Sequence, residues 1–393
     1  MSDRAREARD PGLVAIFAAG RNGSTMLGRL LDGSPDLYVH APELNGLCAL
    51  DDLAGRDAPL MDTLLNARTR PLGSPDREIP TRRLLDVYGG QWQEIEQEYG
   101  TRLVEPLARA CDPAALLAQQ QSWTARSFLP AFLQATQAAY DAGPADRPLL
   151  VFKTIETPYV EDYARTFPGL RCIHLFREPA DNYASAKRTW STGKSYPFYY
   201  GGSDLLRTFL DARWLPHARA ALRLSRSAPG QHLLVRYEDV RADAAAALRR
   251  IFDWLGAAPA PEPDLLTALG GRHLRELPPN TSRPGAVTPR RVAPARGEAA
   301  AAAGPGGARG GDDVLTPRER ELIAACTGPL AAELGYDVAP RRSSRLGLVA
   351  AWLPPDRSEL QHARSRLRLA LEPARRRAWV ARTLATTPRP PAA

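Results

Sequence analysis

Lysine is nearly absent from this chain. Of 52 basic residues only Lys153, Lys187 and Lys194 are lysines, while arginine serves everywhere else. An ammonium is a compact point charge and a guanidinium a wide planar fork. The lysine cluster therefore marks a stretch where a small cation is wanted. Cysteine is scarce too: Cys48, Cys111, Cys172 and Cys326 stand far apart, with no CxxC pair and no adjacent histidine. That spacing excludes a disulfide scaffold and a zinc motif, and fits thiols in a reducing compartment. No window approaches the roughly 20 apolar residues of a membrane span. The first ten residues, Met1–Asp10, hold no apolar run of the kind a secretory signal needs. The expectation is a cytoplasmic protein with no bound metal.

The net charge of +8 is unevenly spread. Residues 341–393 carry 12 Arg against 3 acids, leaving 40 basic against 41 acidic side chains in the rest. The body is close to neutral, which argues against nucleic acid as a partner. The basic tail, residues 341–393, has a partly helical pattern broken at Pro373. It suits an anionic membrane surface, or else stands as a solvated appendage.

Short apolar runs at Leu13–Ala18, Leu149–Lys153, Cys172–Phe176 and His232–Tyr237 read as buried strands. Helical patterns lie between and around them, at Tyr159–Phe167, Ala180–Trp190, Leu205–Leu224 and Ala244–Leu255. This alternation predicts an α/β fold: a P-loop-like, doubly wound parallel sheet with helices on both faces. Residues 50–147 interrupt the rhythm and predict a helical insertion without strands, placed on the acceptor side. Residues 297–311 are low-complexity and read as a mobile linker. Thr316 and Pro317 open a last helix, Pro317–Leu334, stopped by Gly335. One domain thus covers residues 1–340.

After the first strand comes Gly20-Arg21-Asn22-Gly23-Ser24-Thr25, which opens a helix. Backbone N–H groups and the helix dipole make such a turn a cradle for phosphate or sulfate. It is not a Walker loop, because no lysine follows Gly23. The stretch AGRNGSTMLGRLL (Ala19–Leu31) resembles the 5′-phosphosulfate loop of sulfotransferases that use 3′-phosphoadenosine 5′-phosphosulfate (PAPS), in particular the bacterial, carbohydrate and tyrosylprotein branches. FPGLRCIHLFREPADNYAS (Phe167–Ser185) resembles the 3′-phosphate motif of the same family, and LVRYEDVRADAAAALRRIFDWLG (Leu234–Gly256) its Tyr-Glu-Asp strand and following helix. A strand-end guanidinium and a hydroxyl eight residues on can converge on one phosphate.

The resemblance implies a sulfuryl transfer from PAPS to a hydroxyl of a small molecule, glycan or lipid. It implies that Gly20, Arg21, Asn22, Gly23, Ser24 and Thr25 hold the 5′ end. Arg177 and Ser185 would hold the 3′-phosphate, and Tyr237 the adenosine or phosphates. Glu238 and Asp239 would serve structure. Arg283, in the Asn280-Thr281-Ser282-Arg283 stretch, is the candidate for the late basic residue over the cofactor, although the Pro/Ala-rich residues after it depart from the family pattern. Lys153, in Phe-Lys-Thr, would lean on the transferring group. Glu43 follows Arg21 by 22 residues and is the candidate general base; His40 is the alternative. His174 reads as core, while His217 and His232 carry no signal. Two rivals stay open: a P-loop-like nucleotide kinase, which would want a Walker lysine, and a non-catalytic nucleotide-binding scaffold with a membrane-associating tail.

Overall fold

The computed structural model describes residues 12–45, 76–141, 143, 147–190, 205–260, 267–274 and 314–338. The basic tail, the linker 297–311, Lys194 and Arg283 lie outside these. In chain order the first elements are β1 (Gly12–Ala18), α1 (Ser24–Leu31) and β2 (Leu37–Glu43). The insertion then supplies β3 (Ile79–Pro80), α2 (Thr81–Glu94), α3 (Pro113–Leu117), β4 (Ser122–Trp123) and α4 (Ala125–Tyr140). β5 (Leu149–Thr154), α5 (Val160–Thr166), β6 (Arg171–Phe176), α6 (Pro179–Trp190), α7 (Leu205–Phe209) and α8 (Leu215–Ser227) follow. The last elements are β7 (His232–Arg236), α9 (Tyr237–Ala242), α10 (Ala244–Leu255), β8 (Thr267–Ala268), β9 (Arg272–His273) and α11 (Pro317–Glu333).

Five strands form one parallel sheet in the order β2-β5-β1-β6-β7. Its centre is β1, where Val14 and Ile16 pack on one face and Leu13, Ala15 and Phe17 on the other. Both faces are covered, so β1 reads as one continuous apolar run instead of an alternation. The Val14 face meets Leu27, Leu30 and Leu31 of α1 and Ile251 and Phe252 of α10. The Phe17 face receives the insertion, whose Trp92 stacks on Phe132 with ring centroids 5.5 Å apart. Trp92 also donates its indole N–H to Thr136 Oγ1 at 3.0 Å, so the buried polar edge is satisfied. The insertion is therefore part of the main core as well as a wall of the site.

Three readings of the sequence need correction. Leu37–Glu43, which is not among the strand runs read from the sequence, is a buried seven-residue edge strand. Pro42 and His40 hide its β pattern, and its pairing with β5 shifts register between Val39 and Glu43. An edge strand with an irregularity is where a sheet tolerates proline. The insertion does hold strands, the antiparallel pair β3–β4, which are too short at two residues each to show a period. Tyr237 starts α9 and does not end β7.

The lysine cluster divides. Lys187 donates to both carboxylate oxygens of Glu319, at 2.9 and 2.7 Å, in a buried pair that pins α6 to α11. Glu319 also closes the capping box at Thr316. Lys187 is thus structural, and Lys153 goes to the site.

Three histidines meet where α8 packs on β6 and β7. His174 lies between His217 and His232, with ring nitrogens 3.2 and 3.1 Å apart. His217 Nδ1 is buried with no partner, and an orphaned N–H costs more than an orphaned lone pair. His217 accordingly carries its proton on Nε2 and donates to His174 Nδ1, and His174 Nε2–H donates to His232 Nδ1. Cys172 completes a group with His174 and His232 whose ligand atoms lie within 4.8 Å of one another. The expectation of no metal-ligating cluster did not foresee this, because the register of β6 on β7 is what sets Cys172 beside His232. Both nitrogens of His174 are already engaged, so the group is closed by its own hydrogen bonds.

Burial lowers the pKa of all three histidines below the usual 6.5, His217 to about 3 and His174 well below the ordinary range. A base with a depressed folded pKa contributes stability that is complete above its unfolded value and lost as the pH falls. Urea unfolding reads this as the histidines' contribution to the pH slope, which the raised Asp32 carboxyl, with a pKa of about 6, opposes at lower pH. Below about 6.5 stability should drop by about 2.7 kcal/mol per pH unit from His174 and His217 together. His217→Phe, on the ring that stacks on Phe176, should remove about half of that slope; an unchanged slope would refute the account.

Candidate active site

The loop between β1 and α1 takes a shape that few residues accept. Gly20, Arg21 and Gly23 have φ of 83°, 60° and 96°. A non-glycine residue in this left-handed region is unusual and clusters at functional sites. Side chains from behind hold the turn. Asn22 Nδ2 donates to Leu175 O at 2.6 Å and Asn182 Nδ2 to Gly20 O at 2.7 Å. Arg177 Nη1 donates to Arg21 O at 3.4 Å. At Gly23 a Cβ would lie 2.5 Å from the Tyr237 ring, so the absent side chain is what lets Tyr237 close on the loop. Arg177 sits over the other part of that ring, 4.8 Å from its centroid.

α1 begins at Gly23 without a side-chain cap and without an acid in its first turn. Its first N–H groups and the positive end of its dipole therefore face the loop mouth with no internal acceptor. Lys153 reaches the same place from β5, donating to Thr25 Oγ1 at 3.3 Å. Burial lowers the Lys153 pKa to about 8, against the opposing pull of Glu43. Glu43 is the register partner of Lys153 across β2–β5, so the two candidate groups sit side by side.

His40 is fully buried. Gln91 Nε2 donates to Glu43 O at 3.0 Å, which leaves Gln91 Oε1 to accept from His40 Nε2–H at 2.8 Å. Burial lowers the His40 pKa to about 4, a weak base for work near neutrality. Glu43 is half-buried and better placed to meet a substrate.

The predicted residues thus fall into two adjoining groups. Gly20, Arg21, Asn22, Gly23, Arg177 and Tyr237 form the loop side. Thr25, with Lys153, Glu43 and His40, forms the sheet side, and Ser24 is buried at the start of α1. Ser185 follows Asn182 by three residues on α6, the spacing that shares a helix face, so it lies on the face that meets the loop. Glu238 is structural: it accepts from Glu178 N at 2.9 Å and from the Tyr336 hydroxyl at 3.0 Å.

Sequence reading missed four residues here. Asn182 and Gln91 act through hydrogen bonds to distant backbone, which leave no local signal. Arg29 follows Thr25 by four residues on α1, a spacing that could have marked it. Glu94 ends α2 close to Glu43; burial first, then Glu98 and Glu43, raise its pKa above the usual 4.5. A cavity of ≈ 10 Å³, lined by Thr25, Arg29, His40, Tyr99, Lys153 and Thr267 among others, lies beneath. It has room for about one water.

The sequence matches the family described as "Sulfotransferase family" over residues 12–261, well over half of the chain. This chain belongs to the sulfotransferase family. Its sheet, loop and flanking helices agree with that membership. Among solved structures it is similar to the sulfotransferase domain from the curacin biosynthetic pathway, at 18% identity and TM-score 0.41, over 69% of this chain and 84% of that one. It is also similar to the sulfotransferase domain of the Synechococcus PCC 7002 olefin synthase, at 19% identity and TM-score 0.36, over 64% and 76%. A sulfotransferase from Mycobacterium avium matches at 15% identity and TM-score 0.35, over 64% and 65%. No curated protein matches the chain. Among the described residues, no helix is long and apolar enough to cross a membrane.

Gly23→Ala should destabilise this sulfotransferase by about 1–3 kcal/mol, the usual cost of a strained backbone conformation, with the Tyr237 clash added. In a Tyr237→Ala background the ring is gone and the loss should shrink. Urea unfolding of the four proteins of this cycle measures it; the same loss in both backgrounds would show that the ring contact plays no part.

Proposed function

We propose that this sulfotransferase moves a sulfuryl group from PAPS to a hydroxyl of a small molecule, glycan or lipid. One observation carries the reading most: the buried Lys153 ammonium is bound to Thr25 at the uncapped start of α1, with Glu43 beside it. This supports a reading in which the ammonium meets the bridging oxygen as it becomes negative, with a carboxylate next to it. The acceptor oxygen attacks sulfur as the bond from sulfur to the 5′-phosphate oxygen breaks. The acceptor's proton passes to Glu43. As in phosphoryl transfer, the protein's part is positioning and electrostatic stabilisation.

In this reading Arg21 and the Gly20–Thr25 amides hold the 5′ end, while Arg177 and Ser185 take the 3′-phosphate. Tyr237, already packed against Gly23 and Arg177, meets the nucleotide. His40 keeps the strand in place through Gln91 and is the second choice as base. Arg283 and the basic tail remain proposals from the sequence, for a cofactor lid and for peripheral membrane contact.

Glu43→Gln should keep nucleotide affinity and lower turnover about 10²–10⁴-fold, the typical contribution of a positioned base. Normal turnover in Glu43→Gln together with a dead His40→Ala would move the role to His40. Arg177→Ala should weaken the desulfated 3′,5′-nucleotide selectively, leaving AMP unaffected; calorimetry measures both. Because Lys153 acts as a cation with a pKa of about 8, kcat/KM should fall as the pH rises through that value. A rate that holds to pH 10 would remove Lys153 from the mechanism.

A further inference from the structure

Arg29 is the one arginine, among the described residues, with all three guanidinium nitrogens buried and without a hydrogen-bond partner. It is 4% exposed. It lies one turn past Thr25 on the same face of α1, and both line the cavity under the loop. Its guanidinium sits over the Tyr99 ring, 5.7 Å from the centroid, and acts on the Tyr99 hydroxyl, which donates to Ala41 O at 3.4 Å. A cation over an aromatic face recovers only part of the lost hydration.

Among the described residues, none of the charged groups around it is bonded to its guanidinium. Lys153 is a second cation on the same cavity. Asp32 also lines it, but its carboxylate oxygens accept from Gly270 N at 3.1 Å and Gly271 N at 2.8 Å. Burial raises the Asp32 pKa to about 6. Glu43, Glu94 and Glu98 act on Lys153, and none of them bonds to Arg29. His40 is held neutral by burial. A buried charge without its counter-charge is strongly destabilising. Such a cost persists where function needs it.

The donor's own charges have partners elsewhere, at the Gly20–Thr25 loop and Arg177. Arg29 lies about 6 Å further along α1, beside β2, on the side from which Glu43 would meet a hydroxyl. We infer that Arg29 is an anion subsite for the acceptor: it takes a carboxylate, sulfate or phosphate carried by the molecule whose hydroxyl is sulfated. The acceptor is then an acidic hydroxyl compound. This rests on the sulfuryl-transfer reading above and narrows its substrate class. The cavity is small as it stands, ≈ 10 Å³. The ends of Arg29 and Lys153, which help to wall it, are long rotatable chains whose rearrangement sets its size.

The test uses the full chain saturated with the desulfated 3′,5′-nucleotide, which fills the donor half. 4-Hydroxybenzoate and its neutral isostere 4-hydroxybenzamide are titrated, with binding read by thermal shift and calorimetry. The wild type should prefer the carboxylate by about 30-fold or more, the size expected for one buried charged contact. Arg29→Met should abolish the preference, Arg29→Lys should retain part of it, and the nucleotide's affinity should be the same in all three. Without ligands, Arg29→Met should unfold at a higher temperature than wild type, because an apolar chain of similar length replaces an uncompensated charge. Equal binding of the two probes by the wild type, or a preference that survives in Arg29→Met, would overturn the subsite. So would an Arg29→Met protein that melts well below wild type, which would make the guanidinium structural. If Arg29→Met instead loses affinity for PAPS but not for the desulfated nucleotide, Arg29 serves the transferring group and the acceptor assignment falls. A wild type that ignores the nucleotide altogether would defeat the donor reading first, and the acceptor subsite with it.

Discussion

The first N–H groups of α1 need an acceptor, and among the described residues no side chain caps them. A helix start left open in this way carries about half a positive charge, and the surrounding structure is arranged to keep it open and aimed. Asn22 and Asn182 hold the preceding loop from behind, through carbonyls of β6 and of the loop itself. Arg21 is kept in the left-handed region, and Gly23 is kept free of a Cβ by the Tyr237 ring. The central sheet provides the rigid base, since β1 and β6 run parallel and deliver the loop and Arg177 to the same edge.

Positive charge accumulates around that point at a cost to stability. Lys153 is buried with a lowered pKa, and Arg29 is buried with no carboxylate bonded to its guanidinium. Elsewhere the chain treats buried charge differently. Lys187 and Arg147 each meet a carboxylate, Glu319 and Asp141, in closed pairs. The contrast within one molecule separates cations held in closed ion pairs from cations, at the candidate site, that no carboxylate is bonded to. It also explains why the lysine cluster, read as one signal, has two meanings: one member sits at the site and another clamps two helices.

The insertion belongs to both functions of the molecule. Its aromatic residues, Tyr88, Trp92, Phe128 and Phe132, complete the core on the Phe17 face of the sheet. Its polar residues, Gln91, Glu94 and Tyr99, surround Glu43 and Lys153. A segment that is core on one side and cavity wall on the other couples the shape of that cavity to the packing of the domain. Large changes there are expected to affect stability and specificity together.

Much of the fold was legible in the sequence. Four of the five sheet strands, and helices such as Ala244–Leu255, announce themselves through apolar runs and periodicity, because local burial imposes a local pattern. The loop is equally readable, since glycines, a strand before and a helix after define an anion cradle by backbone geometry alone. Edge strand β2 was not readable, because His40 and Pro42 are tolerated only through contacts with Gln91 and a register shift against β5. The histidine trio, the burial of Arg29 against Tyr99 and the neighbourhood of Glu94 are invisible in one dimension. Each joins residues dozens of positions apart, and whether a buried charge or ring nitrogen finds a partner is set by distances that only the folded chain possesses. Sequence determined which residue types could bind an anion; tertiary structure decided which of them are left wanting one.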